Sequence, residues 1–302
     1  MPIPAYYALR IADPLEPEIA LPHGIVTPDG MAVEFTVTPT NSVDTIIEYL
    51  RDNLRTTQQM LAANGCGISV EPYFHTDPYY IEQLPERFGK QCSLQILGCA
   101  PDVCVYDDIV LPKRPDPRTY PWRTSGGHIH VQIGQQILQD NAALCYTIAA
   151  MDYVLGTAAT YLCPSEQAFQ RKILYGSAGM MRSNYDLGTL EYRTLSGQAL
   201  IQTEEVARMM FTAAQNVCGI MMDIYDKYSQ REAIGIYKTI FGGYSDIVNS
   251  LVPAINTHNV DRCRAIQDDI GNRLSEYAIL DAVIHDMQSY VLPQDFDLHW
   301  RF

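Results

Sequence analysis

The stretch that decides the fold is Thr124-Ser125-Gly126-Gly127-His128-Ile129-His130-Val131-Gln132. Ile129 and Val131 alternate with His128 and His130, which is the two-residue period of a strand with one buried face. The two imidazoles therefore project from the same face, about 7 Å apart along the strand. This pattern predicts a strand that holds two side chains with metal-binding or proton-transfer capacity on rigid backbone.

Two glycines precede these histidines. Because glycine has no Cβ, the backbone at Gly126 and Gly127 admits the close approach of another backbone or of a phosphate. Both glycines are therefore predicted to lie at a cofactor-binding position.

Three other segments repeat the same design, with one apolar face and one ionisable face. They are Met31–Thr38 with Glu34, Gly67–Pro72 with Glu71, and Thr189–Leu195 with Glu191 and Arg193. Three carboxylates and the imidazole of His128 suit a hard divalent cation such as Mg²⁺ or Mn²⁺. Arg193 would project into the same space and could clamp an anion, and Arg182, after a flexible Gly-Ser-Ala-Gly segment, is a second candidate for that role.

Residues 1–30 are interpreted as an irregular lead-in, and 73–125 and Tyr175–Gly188 as mainly loop. The remaining pattern is mainly helical. The expected helices are one that Asn41 or Ser42 caps and Asn64-Gly65 ends, one from about 136 to 162, one that begins at Thr203, and one over roughly Asp261–Val291. Strands with one polar face, interleaved with helices, predict an α+β fold. We expect a single catalytic domain over residues 1–302, in which a mainly helical part, 201–302, packs on a sheet region, 30–200.

Composition excludes several classes of protein. The net charge is −14 and no block of lysines and arginines occurs, so a nucleic-acid partner is not expected. The opening residues MPIPAYYALR lack the apolar core of a signal peptide, and no apolar run approaches the length of a membrane span. The eight cysteines show no CxxC pair, which favours a reducing cytoplasm.

Five pieces of this sequence resemble the carboxylate–amine ligases of the glutamine synthetase and glutamate–cysteine ligase superfamily, and above all its small phage-encoded amidoligases. The matching pieces are Gly30-Met31-Ala32-Val33-Glu34-Phe35, Gly98-Cys99-Ala100-Pro101-Asp102, Gly126-Gly127-His128-Ile129-His130-Val131, Tyr175-Gly176-Ser177-Ala178-Gly179-Met180-Met181-Arg182 and Leu190-Glu191-Tyr192-Arg193. They span roughly residues 30–200, and the C-terminal third adds no motif.

The resemblance implies a curved, mainly antiparallel sheet, backed by helices, whose concave face holds ATP and Mg²⁺ or Mn²⁺. It implies that Glu34, Glu71, His128 and Glu191 are metal ligands. Many relatives carry a second acid two residues after the first of these, where this chain has Thr36, and this departure puts one metal site in doubt.

The resemblance also assigns roles to the basic residues. His130 would lie near the nucleotide phosphates, and Arg182 and Arg193 would contact the transferred phosphoryl group or the substrate carboxylate. The implied activity is the ATP-dependent formation of an amide from a carboxylate and an amine through an acyl phosphate. The substrates would be small molecules or peptides. The protein would act in the cytoplasm, which for a phage protein is that of the bacterial host. A homo-oligomer would be compatible with the superfamily.

Two alternatives stay open at this point. His128 and His130 could together serve a metal-dependent hydrolase or a cupin-like oxygenase, although such sites usually need a third or fourth ligand. A phage structural or assembly protein could also retain the ligase fold with a decayed site.

Overall fold

A computed structural model describes residues 9, 18–29, 31–77, 79, 103–106, 115–116 and 120–302. Gly30 and the motif Gly98–Asp102 lie outside the described residues. The described part is α+β, with antiparallel sheets and a helical C-terminal part, as the sequence predicts. The chain divides into two compact units, of which the first contains 1–100, 113–125 and 296–302 and the second contains 101–112 and 126–295. The expectation of one catalytic domain stays a prediction.

The described residues of the first unit form two small antiparallel sheets and one long helix. Its elements are β1 (Ile19–Leu21), β2 (Gly24–Asp29), β3 (Ala32–Val37), α1 (Val43–Ala62), β4 (Tyr73–His75) and β6 (Trp122–Thr124), with strand orders β1-β2-β3 and β4-β6. The predicted cap is confirmed, because the Ser42 hydroxyl accepts a hydrogen bond from the backbone N–H of Thr45 at 3.3 Å. The apolar stripe of α1 buries Ile47, Leu50 and Leu54, as the helical period requires.

The prediction of a strand over Gly67–Pro72 is wrong. Only Ser69 forms a bridge, with Asp297, and the paired strand begins later, at Tyr73. Alternation is a weak signal over six residues when no neighbouring strand runs beside the whole segment.

The second unit contains one four-stranded antiparallel sheet and most of the helices. Its strands are β5 (Val103–Cys104), β7 (Ile129–Gln132), β8 (Met180–Asn184) and β9 (Thr189–Tyr192), in the order β5-β8-β9-β7. Its helices are α2 (Gln135–Gln139), α3 (Asn141–Met151), a π-helical turn (Asp152–Gly156), α4 (Thr157–Leu162), α5 (Glu166–Leu174), α6 (Gly197–Ile201), α7 (Glu204–Lys227), α8 (Gln230–Phe241), α9 (Tyr244–Asp246), a second π-helical turn (Ile247–Leu251), α10 (Val252–Asn256), α11 (Val260–Arg273) and α12 (Ala278–Ser289).

Most of these helices follow their sequence signals. Thr203 caps α7, as predicted, by accepting a hydrogen bond from the backbone N–H of Val206 at 3.0 Å. The predicted last helix is divided into α11 and α12: Leu274 is the C-cap of α11, and a turn separates it from Ala278, where α12 begins.

The apolar face of the four-stranded sheet packs on the helices. Ile129, Leu190 and Tyr192 belong to the same buried cluster as the side chains of α3, α4 and α7. Because neighbouring residues of a strand point to opposite faces, His130, Glu191 and the other polar residues lie on the face away from that core.

One helical stretch, Asn141–Leu162, is long and apolar enough to cross a membrane, contrary to the expectation that no such run exists. In this structure 89% of its apolar window is buried inside the protein. Core helices of soluble proteins have the same length and composition, so the stretch is weak evidence for a membrane span.

Candidate functional site

Strand register gathers a polar row on β9 and its two neighbours. Glu191 lies directly opposite His130 of β7 and directly opposite Arg182 of β8. Residues opposite each other in an antiparallel pair share a face, so these three side chains form one row across the sheet. His128 directly precedes β7 and Arg193 directly follows β9, each two residues from a member of the row, and their side chains reach the Glu191 carboxylate on the same face. Five predicted site residues are thus brought together.

The carboxylate of Glu191 is the centre of this group. Its Oε1 accepts a hydrogen bond from Nη1 of Arg193 at 2.7 Å and lies 3.0 Å from Nδ1 of His128. Nε2 of His130 lies 4.0 Å from the same oxygen, and Nη1 of Arg182 lies 3.5 Å from Oε2. Four basic side chains therefore surround one carboxylate, and we call this group the basic face.

Exposure divides the basic face into a buried part and an accessible part. The side chain of Arg193 is fully buried and that of Glu191 is 8% exposed, whereas His130 is 63% and Arg182 45% exposed. The buried ion pair orders the accessible side chains, which remain open to a ligand.

The charges on this face shift two pKa values. Burial acts to raise the pKa of Glu191, but the hydrogen bond from His128 and the charges of His128, Arg193 and His130 outweigh it and lower the pKa to about 2. The pKa of His130 is lowered, first by desolvation and then by its basic neighbours, against the opposite effect of Glu191. Glu191 is therefore ionised at neutral pH, and the two arginines exceed it in charge.

Both ring nitrogens of His128 are engaged by protein groups. Nδ1 is bound to Glu191, and Nε2 lies 2.7 Å from the phenol oxygen of Tyr175. The Tyr175 ring in turn lies under two guanidinium groups, with Cζ of Arg171 at 5.1 Å and Cζ of Arg193 at 5.4 Å from the ring centroid. The imidazole is fixed on both sides.

The protein itself fills the space beside both glycines of the β7 motif. A Cβ at Gly126 would lie 2.8 Å from Nε2 of His128 and 3.2 Å from Cε1 of Tyr175. A Cβ at Gly127 would lie 2.7 Å from the carbonyl oxygen of Ser196. Gly126 is therefore required by the packing around His128, and Gly127 by its packing against Ser196. The contact of either glycine with a phosphate stays a prediction.

Another carboxylate, Asp152, lies on the helical side of the same sheet. It is fully buried, and its oxygens accept hydrogen bonds from the Tyr106 hydroxyl at 2.8 Å, the backbone N–H of Gly179 at 2.8 Å, the Tyr192 hydroxyl at 2.7 Å and the Thr194 hydroxyl at 3.3 Å. Burial raises the pKa of Asp152 to about 6, although each of these bonds acts to lower it. Asp152 thereby connects the strands that carry the basic face.

The two remaining predicted ligands belong to the first unit. Glu34 lies on β3, opposite Thr27 of β2. Glu71 lies before β4, where its carbonyl oxygen accepts a hydrogen bond from the Ser125 hydroxyl at 2.8 Å and burial raises the pKa of its carboxyl group.

The chemistry of the donor set only partly fits a metal. Glutamate oxygens are suitable ligands for Mg²⁺, but the Glu191 oxygens already face four basic side chains, and both nitrogens of His128 are occupied. Over the described residues, no group of three or more His, Cys, Asp or Glu side chains is arranged to hold a metal ion. The four-ligand metal site stays a prediction, and the basic face fits an anion better than a cation.

Two features of the site were missed by the sequence interpretation. The expected loop Tyr175–Gly188 contains the strand β8, which carries Arg182. The signal was a hairpin, since Gly188 closes a short polar turn between two alternating segments. Tyr175 and the buried Arg171 received no role, because a contact between residues 47 positions apart, such as that of Tyr175 with His128, leaves no local pattern.

Comparison of the chain with protein-family models, with curated proteins and with solved structures gives no match.

Proposed function

We propose that this protein is an ATP-dependent carboxylate–amine ligase, which activates an acid as an acyl phosphate and transfers the acyl group to an amine. The observation that carries the proposal is the basic face, where Arg182, Arg193, His128 and His130 all lie within 4.0 Å of the Glu191 carboxylate. Two permanent positive charges against one carboxylate leave a local excess of positive charge in a chain whose net charge is −14. Such an excess favours an anionic ligand.

The accessible side chains have the chemistry that phosphates need. A guanidinium presents several N–H donors in one plane and binds phosphate or carboxylate oxygens in pairs. Arg182 is half exposed and lies at the edge of the row, so its fork can turn from Glu191 towards a bound anion. His130 is exposed beside it and offers a ring N–H.

The proposed reaction needs charge neutralisation and positioning above all. A carboxylate is a poor electrophile because an oxide or hydroxide would have to leave. Attack of its oxygen on the γ-phosphorus of ATP releases ADP and gives an acyl phosphate, and attack of the amine nitrogen on the acyl carbon then releases phosphate. Arg182 would hold the negative oxygens of the transferred group in both steps, and the buried Arg193 would act through Glu191, which it holds in place. Mg²⁺, when bound, would supply further neutralisation of the nucleotide phosphates.

The finer architecture belongs to the same proposal. A curved sheet with a concave catalytic face, as in the glutamine synthetase superfamily, would place the basic face towards the nucleotide. The proposed setting is the cytoplasm, with small or peptidic acids and amines as substrates, and a phage origin and a homo-oligomer follow from the resemblance alone.

The test is a substrate screen with ATP and MgCl₂. Pools of amino acids, peptides and amines are added to the purified protein, and phosphate release and product mass are measured. We expect one acid and amine pair to stimulate release and to give a product that weighs as much as both minus one water. Turnover without ATP, in a protein that contains tightly bound zinc or iron, would contradict the proposal and favour a hydrolase or oxygenase.

A further inference from the structure

The imidazole of His128 lies in a chain of hydrogen bonds that begins at a buried ion pair. Arg193 donates to Oε1 of Glu191 at 2.7 Å, and the same oxygen lies 3.0 Å from Nδ1 of His128. An ionised carboxylate only accepts hydrogen bonds, so Nδ1 must carry the proton. In a neutral ring with this proton Nε2 is the acceptor, and it lies 2.7 Å from the Tyr175 hydroxyl oxygen, which can donate to it.

The surroundings of the ring are built to keep this geometry. The His128 side chain is 14% exposed, and Tyr175 is 8% exposed. Gly126 lies so close to the ring that a Cβ atom at this position would be 2.8 Å from Nε2 of His128. Cβ atoms in proteins essentially never come this close to another heavy atom. Gly126 therefore permits the bond between His128 and Tyr175, and any other residue would push the two rings apart.

The position of Tyr175 is fixed from its other side. The Arg171 side chain is 1% exposed, lies over the Tyr175 ring and donates from Nη1 to the carbonyl oxygen of Thr194 at 2.9 Å. A Cβ at Gly176, where φ is +79°, would lie 2.0 Å from Nη1 of Arg171. The residue after Tyr175 must therefore be a glycine for Arg171 to occupy this place, and Arg171 connects the end of β9 to Tyr175.

We propose that Tyr175 is a positioning residue of the basic face: with Glu191 it holds both ring nitrogens of His128, so that His128 orients the Glu191 carboxylate and does not coordinate a metal. The inference rests on the proposed function and deepens it, since it concerns the same site, and it gives different roles to His128, just before β7, and His130, within β7. His128 is internal and fixed, whereas His130 is exposed and available to the ligand.

The experiment reads the imidazole directly and needs no turnover. The protein is labelled with ¹⁵N-histidine, the His128 ring signals are assigned from their loss in His128→Gln, and two-bond ¹H–¹⁵N spectra are recorded near neutral pH. We expect the Nδ1–H tautomer, with Nε2 at the shift of a hydrogen-bonded acceptor. Addition of MgCl₂ should leave both nitrogens unchanged. An Nε2–H tautomer, or a shift of either nitrogen on addition of Mg²⁺, would overturn the inference.

Two variants with matched controls complete the test. Tyr175→Phe should move the Nε2 signal towards that of an unbonded acceptor. Tyr237→Phe, which removes a buried hydroxyl bonded to the carbonyl oxygen of Met221, should leave the signal unchanged. Gly126→Ala should also disturb the ring signals, whereas Gly235→Ala, with open space at the new methyl group, should not. An unchanged Nε2 signal in Tyr175→Phe would contradict the positioning role of Tyr175, even if the protein proves to be a ligase. If the substrate screen fails, the spectra still test the positioning role, because they need no turnover.

Discussion

Two carboxylates lie on opposite faces of one sheet, one among positively charged side chains and the other among neutral hydrogen-bond donors. Glu191 is enclosed by arginines and histidines, and its pKa is lowered to about 2. Asp152 is enclosed by three hydroxyl groups and one backbone N–H, and its pKa is raised to about 6. Both are buried and both have several donors. The difference is that positively charged side chains stabilise the ionised carboxylate of Glu191, whereas only neutral hydrogen-bond donors surround that of Asp152.

This difference separates a structural role from a functional one. Neutral donors that converge on Asp152 from Tyr106, Gly179, Tyr192 and Thr194 connect strands and leave no charge to attract a ligand. Around Glu191 the positive charges outnumber the single negative charge of the carboxylate, and some of the positive side chains are exposed. Loss of Asp152 should therefore affect stability, and loss of Glu191 should affect ligand binding and catalysis.

The largest effect is expected for Asp152→Ala. The substitution leaves the buried donors of Tyr106, Gly179 and Tyr192 without their acceptor, each at a cost of roughly 1 kcal/mol or more, so the free energy of unfolding should fall by about 3 kcal/mol. The Thr194 hydroxyl can still donate to the carbonyl oxygen of Ser177. Urea denaturation measures the loss. Asp152→Asn is the matched control, because its amide oxygen can face Gly179 and its NH₂ can face the hydroxyl groups of Tyr192 and Thr194. A loss below about 1 kcal/mol in the alanine variant would contradict the structural role.

The pH dependence of stability should show the next effect. A carboxyl group whose folded pKa is raised above its ordinary value of 3.8 stabilises the fold at low pH, and this stabilisation is lost as the pH rises through about 6. Between pH 4 and 6, the unfolding free energy of the wild type should therefore fall relative to that of Asp152→Asn, by up to about 3 kcal/mol. Parallel curves for the two proteins would show that Asp152 does not titrate in this window.

The third effect concerns activity. Glu191→Gln keeps the size of the side chain and one acceptor for Arg193 but removes the charge that orders the basic face. ATP-dependent phosphate release should fall at least about 100-fold, as for the loss of a preorganised electrostatic contact, while the protein stays folded. Steady-state kinetics and circular dichroism check the two parts. A folded variant with full turnover would remove Glu191 from the site.

The sequence predicted the strands that carry the basic face better than it predicted the contacts of their side chains. Alternation placed His128, His130, Glu191 and Arg193 on one face, because a strand sets the direction of each side chain by its own period. It did not predict β8 as a strand, because the glycines before Arg182 are typical of a loop and the whole segment was interpreted as one.

The missed contacts are non-local. Asp152 lies in a helical stretch and meets hydroxyl groups from two distant segments, so its sequence neighbours contain no sign of them. The same holds for Tyr175, whose partner His128 lies 47 positions away in the sequence. The positions of Glu34 and Glu71 on polar segments could be predicted, but a ligand set that several segments build together could not be derived from the periodicity of each.

The most direct test of the basic face is calorimetry with ATP and MgCl₂ on three proteins. Arg182→Ala removes the half-exposed guanidinium of the face, and Arg208→Ala removes a guanidinium of similar exposure from α7, where it pairs with Glu204 at 3.8 Å. The wild type and Arg208→Ala should bind ATP equally, and Arg182→Ala should bind roughly tenfold more weakly, since it loses a charged hydrogen bond to phosphate. Absence of ATP binding in the wild type, or equal affinity in all three proteins, would contradict the account.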